Sequence, residues 1–290
     1  MTTVIECHAP VAGKLAPNLK ALKAKQQAAW SSGDYAVIGT TLQIVGEQLV
    51  EAMDLHAGQT VLDVAAGNGN VTLAAARHWC EVTSTDYVES LLARGRKRAE
   101  AEGLQVKFQI ADAEDLPFAD ASFDAVVSTF GGMFSPDQDR TAAEMVRVCK
   151  SGGRIGLANW TPEGFIGNLF RTIGKYLPPP SGVKSPAVWG TRDWVQATFG
   201  PAAFTITAEA RHFTFRYRSA QHFLDIFGTY YGPVLKAFAA LEEAGRRVLA
   251  RDIIELVGRF NTSGDETMAV PSASTSRLSS PNDETLGVNH

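Results

Sequence analysis

Between Thr60 and Trp160 the chain alternates strand-like and helix-like segments, and that rhythm constrains its fold more than any other feature. Apolar runs stand at VLDVA (61–65), EVTST (81–85), VKFQI (106–110), FDAVVSTF (123–130) and GRIGLANW (153–160). Helical stretches from Asn70 to His78, Val88 to Glu102 and Asp137 to Cys149 separate most of them. Parallel strands need long crossovers, which helices supply, so the alternation predicts an α/β, doubly wound sheet. The runs are continuous rather than alternately apolar and polar, as strands covered on both faces require.

The flanks read differently. Leu19 to Trp30 favours helix, and Val37, Thr41, Ile44, Val45, Gln48, Leu49 and Met53 form a second helical stripe. Beyond Trp160 come a helical patch (Phe165 to Leu177), the stiff Pro178-Pro179-Pro180 segment and a helix from Asp193 to Phe199. Two close strand runs, FTITAEA (204–210) and HFTFRYR (212–218), predict an antiparallel edge hairpin, and Val234 to Val257 predicts one long amphipathic helix. After Phe260 the chain turns to Ser, Thr, Asn, Asp and Pro, which predicts disorder. The division expected is 1–58 as N-terminal helices covering the site, 59–160 as the ligand-binding core and 161–202 as a substrate cap. Residues 203–260 complete the sheet, and 261–290 form a disordered tail.

Composition removes several classes of function. A net charge of −4 argues against a nucleic-acid surface. No apolar run approaches the roughly 20 residues that span a bilayer, and the N-terminus lacks signal-peptide grammar. Cys7, Cys80 and Cys149 are widely spaced with no C-x-x-C, so no metal site is expected and a reducing cytoplasm is the expected location. A homodimer is the association state left open.

The strongest chemical signal is VLDVAAGNGN (61–70), a strand that ends in a Gly-x-Gly turn opening a helix. Glycines there allow a tight turn and close approach of backbone amides to a ligand. Asp63 sits inside the strand, and Thr72 stands where a third glycine of a dinucleotide fingerprint would fall. An acid there suits a cationic ligand without phosphates better than a pyrophosphate on helix-terminal amides. Asp86 closes the second strand, where a carboxylate can accept from a ribose diol or cap the following helix. Asp112 ends the third strand, placed to accept from an exocyclic adenine amine, with the Ala113 amide beside it. Ser128 and Thr129 end the fourth, followed by Gly131-Gly132.

VLDVAAGNGN, TSTDYVESLL, ADAEDLPFADASFDAVVSTFG and EMVRVCKSGGRIGLANW together resemble the class I S-adenosylmethionine-dependent methyltransferases. The likeness is to the bacterial small-molecule branch similar to the ubiquinone/menaquinone C-methyltransferases. The four motifs stand in family order over residues 30 to 160, and residues 160–190 also resemble one subgroup. The resemblance implies a mostly parallel seven-stranded Rossmann-like sheet with a helical cap, and S-adenosylmethionine as cofactor. It implies that Asp63, Ala65, Gly67, Asn68 and Gly69 frame the methionine part and that Asp86 holds the ribose. Tyr87, Asp112 and Ala113 would contact the adenine, and Thr129 and Phe130 would border the sulfonium.

Methyl transfer from a sulfonium mainly needs alignment and exclusion of water. The expected acceptor is a small apolar or aromatic molecule, bordered by Trp30, Tyr35, Phe134 and Trp160, with Phe165 and Trp189 as further lining. Were a general base used, Tyr35, His212 and His222 are the candidates. Two other readings stand beside this one: a non-catalytic S-adenosylmethionine-binding protein and a nicotinamide-dependent Rossmann oxidoreductase.

Overall fold

The computed structural model describes residues 18–202 and 206–278. Helices α1 (Leu19–Ser32), α2 (Ala36–Gly39) and α3 (Gln43–Met53) precede β1 (Thr60–Val64). Next come α4 (Asn70–Arg77), β2 (Glu81–Asp86), α5 (Glu89–Ala101), β3 (Val106–Ile110), β4 (Phe123–Thr129), α6 (Gln138–Val148) and β5 (Cys149–Trp160). Helices α7 (Phe165–Gly174) and α8 (Arg192–Phe199) lead to β6 (Glu209–Tyr217). The described chain closes with α9 (Ala220–Tyr230), α10 (Gly232–Ala240), α11 (Glu243–Phe260) and β7 (Met268–Leu278).

One seven-stranded sheet runs in the order β3-β2-β1-β4-β5-β7-β6. Strands β1 to β5 pair in parallel, and β7 is antiparallel to both of its neighbours. The doubly wound, mostly parallel sheet read from the sequence is therefore the fold. β1 and β4, its central strands, are buried along almost their whole length, as their unbroken apolar runs require.

Three expectations fail outside the core. The edge hairpin does not form; residues 204–205 of its first run lie outside the described residues, and 206–208 carry no strand. β6 runs through Arg211, which separates the two predicted runs, and a single non-glycine residue cannot reverse a strand. Its partner is β7 instead, from Glu209 against Ser276 to Tyr217 against Met268. The antiparallel edge is thus built from segments far apart in sequence.

The tail from 261 is likewise not disordered throughout, because β7 lies inside the sheet between β5 and β6. Met268, Val270, Ser272 and Ser274 alternate into the interior, and the small hydroxyl side chains of the two serines suit close packing: Ile166 N–H donates to Ser272 Oγ (3.4 Å). Pairing with β5 is confined to Ser274 and beyond, so Pro271 falls where β7 has one neighbour and a missing N–H is tolerated.

The long helix also breaks, at the extended residues Leu241 and Glu242. α10 buries Val234 and Ala237, while α11 buries Leu249, Ile253, Leu256 and Val257. One straight helix could not turn both stripes inward. No helix among the described residues is long and apolar enough to cross a membrane.

Candidate active site

The connections from β1 run outward through β2 to β3, and those from β4 run the other way through β5. Such a reversal opens a crevice at the carboxyl ends of the strands. Here it holds a cavity enclosing about 1110 Å³ of non-protein space, counting its solvent-filled mouth.

The floor is made by left-handed backbone at two strand ends. Ala65 (φ 53°), Gly67 (φ 58°) and Gly69 (φ 83°) turn the chain from β1 into α4, and Phe130 (φ 57°) turns it beyond β4. A Cβ at Gly67 would meet only the ring of Tyr35, at 3.8 Å, so backbone conformation rather than crowding calls for glycine and leaves an open cradle. At Gly131 the reason is contact: a Cβ would lie 2.1 Å from the Ala65 carbonyl oxygen, so the ends of β1 and β4 meet there. The non-glycine residues Ala65 and Phe130 are held strained at the cavity wall.

Two buried carboxylates secure the turn. Thr72 donates from its N–H (3.1 Å) and hydroxyl (2.5 Å) to Asp63 Oδ2, while Asp63 Oδ1 is buried without a partner among the described residues. Burial pushes the Asp63 carboxyl up to about 7. Asp86 accepts from Gly67 N–H (2.8 Å) through Oδ2 and from Val88 N–H (2.8 Å) through Oδ1. The residue thus ties β2 to the glycine turn and to the start of α5, yet it still lines the cavity. Burial outweighs these donors and raises its carboxyl to about 6.

Beyond β3, Asp112 Oδ1 accepts from Glu114 N–H (3.0 Å), and Oδ2 takes the ammonium of Lys23 from α1 (2.6 Å). Glu114 also pairs with Lys23 and accepts from Asp137 N–H (2.8 Å) at the start of α6. Among the described residues, the cavity's charged side chains are these four, Lys23, Asp86, Asp112 and Glu114, and they gather at one end.

The other end is aromatic. Trp30 packs edge-to-face on Tyr35 (5.5 Å), Phe134 (5.0 Å) and Tyr231 (5.5 Å), and Phe130 stacks flat on Trp160 (3.8 Å, 2°). Burial raises the Tyr35 phenol far above its ordinary value, so it stays protonated near neutrality.

Of the predicted cofactor residues, Ala65, Gly67, Asn68, Asp86, Tyr87, Asp112, Ala113, Thr129 and Phe130 line the cavity. Asp63 and Gly69 do not; they stand behind the lining and shape the turn. All four predicted acceptor residues, Trp30, Tyr35, Phe134 and Trp160, line it. Phe165 and Trp189 are fully buried core instead. His212 faces a separate groove beside Ile44 and Gln48, and the His222 ring accepts from Arg218 N–H (3.2 Å), so neither histidine reaches the cavity. Sequence reading missed Lys23, Glu114, Phe215, Phe227 and Tyr231. Glu114 lay in the acidic loop already singled out, whereas the others carry no local signal.

The fold and a two-ended cavity at its switch point define a Rossmann-like α/β protein with a ligand site at the carboxyl ends of its strands. A family model described as a methyltransferase domain matches residues 61–153. An uncharacterised protein of Mycobacterium tuberculosis H37Rv is 40% identical over 250 residues, 84% of this chain and 90% of that protein. The demethylmenaquinone methyltransferase of Thermus thermophilus is 34% identical over 177 residues, 57% of this chain and 80% of that enzyme. A solved Bacillus halodurans structure, provisionally assigned as a methyltransferase, shares the fold at TM-score 0.59 and 21% identity, covering 81% of this chain and 98% of that one. The chain belongs to the class I S-adenosylmethionine-dependent methyltransferases.

Proposed function

We propose that this protein binds S-adenosylmethionine and moves its methyl group to a small, apolar or aromatic acceptor. The observation that carries this reading is the division of one cavity into a carboxylate-bearing end and an aromatic end, meeting over the glycine turn. The residues present fit the cofactor. Asp86 would accept from the ribose hydroxyls, Asp112 from the adenine amine, and the Ala113 amide would donate to a ring nitrogen. The open cradle at Gly67, with Ala65 and Asn68, would hold the methionine part. Asp63 and Gly69 would act from behind by fixing that turn.

When bound, the cofactor supplies a methyl group on a sulfonium, already joined to a good leaving group. The protein's own share is alignment and dryness. Thr129, Phe130 and the stacked Trp160 would border the reacting atoms, while Trp30, Tyr35 and Phe134 exclude water and seat the acceptor. Tyr35, protonated at neutral pH, would donate a hydrogen bond and not act as base. Residues 59–160 would form the cofactor-binding core, with helices before residue 58 and the 161–202 segment covering it.

Calorimetry with S-adenosylmethionine, followed by a labelled-methyl assay across phenol, amine, thiol and quinone-like acceptors, tests the proposal. Micromolar binding and transfer to an apolar acceptor are expected. Failure to bind, or transfer confined to charged hydrophilic acceptors, would refute it.

A further inference from the structure

Helix α1 spans both ends of the cavity, with Lys23 at the carboxylates and Trp30 among the aromatics. It contributes no buried residue to the core, and its two halves are held differently. The last turn is in backbone contact with the junction of α9 and α10. A Cβ at Gly33 would lie 2.5 Å from the Tyr230 carbonyl oxygen, and one at Gly232 would lie 2.6 Å from that of Ala29. The first half reaches the sheet edge through polar side chains: Lys23 on Asp112 and Glu114, and Gln27 Nε2 donating to Tyr87 O (2.7 Å). Lys23, Gln26, Gln27 and Trp30 share one helix face. On that face Gln26 Oε1 is buried with no hydrogen-bond partner among the described residues, so their seating of α1 leaves an acceptor unsatisfied.

Resting on the cofactor reading above, we propose that α1 is a hinged strap over the nucleoside end of the cavity and that Lys23 is its latch. The hinge is the glycine-packed end, Ala29 to Gly33. The ammonium of Lys23 and the adenine amine compete for one carboxylate, Asp112, so the strap lifts at its latch end to admit or release cofactor. Glu114, tied to the start of α6, keeps a partner for Lys23 once Asp112 is taken. Lys23 is thereby a positioning residue that sets the rates of cofactor exchange. Trp30 lies within the hinge, packed on Tyr35, Phe134 and Tyr231, so the acceptor end keeps its shape while the latch end lifts.

Stopped-flow tryptophan fluorescence on the full chain, with S-adenosylmethionine as probe, tests this. Lys23→Met should raise the association and dissociation rate constants together, each by about fivefold at low ionic strength. The difference from wild type should shrink at high salt, where the ion pair is screened. Lys23→Arg should restore slow exchange, and Lys184→Met, which removes a surface pair with Asp139, should leave both rates unchanged. Unchanged rates in Lys23→Met would overturn the strap. Faster dissociation without faster association would overturn it too, by making Lys23 a simple ligand contact. Absence of any binding by the wild-type chain in calorimetry would instead overturn the cofactor reading on which the strap depends.

Discussion

Replacing Asp63 by Asn should change how the protein's stability responds to pH. The carboxyl is wholly buried, receives two hydrogen bonds from Thr72 on one oxygen and has none on the other among the described residues. Burial, helped to a smaller degree by Asp86, raises it to about 7 in the folded chain, against about 3.9 in an unfolded one. Folding therefore takes up a proton between those values. The stabilising contribution is fully present below about pH 3.9 and is lost as pH rises through 7. At about 1.4 kcal/mol per pH unit, roughly 2–3 kcal/mol disappears between pH 5 and pH 8. Asparagine cannot titrate, and it keeps an oxygen for Thr72. Its NH2 group would take the place of the unpartnered oxygen, at a cost of about 1–2 kcal/mol that does not vary with pH. Urea unfolding followed by circular dichroism at pH 5, 6, 7 and 8 separates the two effects. The stability of Asp63→Asn relative to wild type should climb by roughly 2–3 kcal/mol across that range. Curves that stay parallel would show that Asp63 is ionised throughout, and the reasoning would fall.

Asp86→Asn leaves one of two backbone amides facing an NH2 group and removes a ribose acceptor, so cofactor affinity should drop by about 10- to 100-fold in calorimetry. Because the Asp86 carboxyl is raised to about 6, wild-type affinity should weaken as pH falls below that value; a flat titration from pH 8 to 5 would contradict its role. Deleting residues 265–290 removes β7, and the burial of Met268 and Val270 alone is worth about 3–6 kcal/mol. Against a total stability of roughly 5–15 kcal/mol, the shortened chain should not give a cooperative melt; a wild-type melt would refute the placement of β7. Gly131→Ala should cost at least about 1–3 kcal/mol in chemical denaturation, because its Cβ meets the Ala65 carbonyl. Gly174→Ala, with open space around it, should be neutral or stabilising by up to about 1 kcal/mol.

The cofactor end of the site was legible because its residues sit at strand ends whose order the periodicity already implies. VLDVAAGNGN, TSTDY and IADAED each finish a predicted strand, and parallel strands of a doubly wound sheet end on one side. Asp63 shows the limit of that logic. Its place in β1 follows from the strand pattern, but which side of the glycine turn it supports depends on Thr72, the third residue of α4. The acceptor end was half legible: Phe134 and Trp160 lie beside or within the core motifs and Trp30 and Tyr35 in the helical segment ahead of them, whereas Phe215, Phe227 and Tyr231 arrive from distant elements.

The parallel core, from β1 to β5, is written locally, because each strand and crossover there is specified by hydrophobic period and glycine turns. The antiparallel edge comes from long-range packing. β6 and β7 find each other across three helices, and the Ser- and Ala-rich strand from Met268 is apolar enough only once β5, β6 and α7 enclose it. Long-range packing also brings Lys23 to Asp112 across 89 positions of chain. Long-range pairing and burial leave no local trace, since each residue's neighbours in space are set by loop closure and packing, not by its neighbours in sequence.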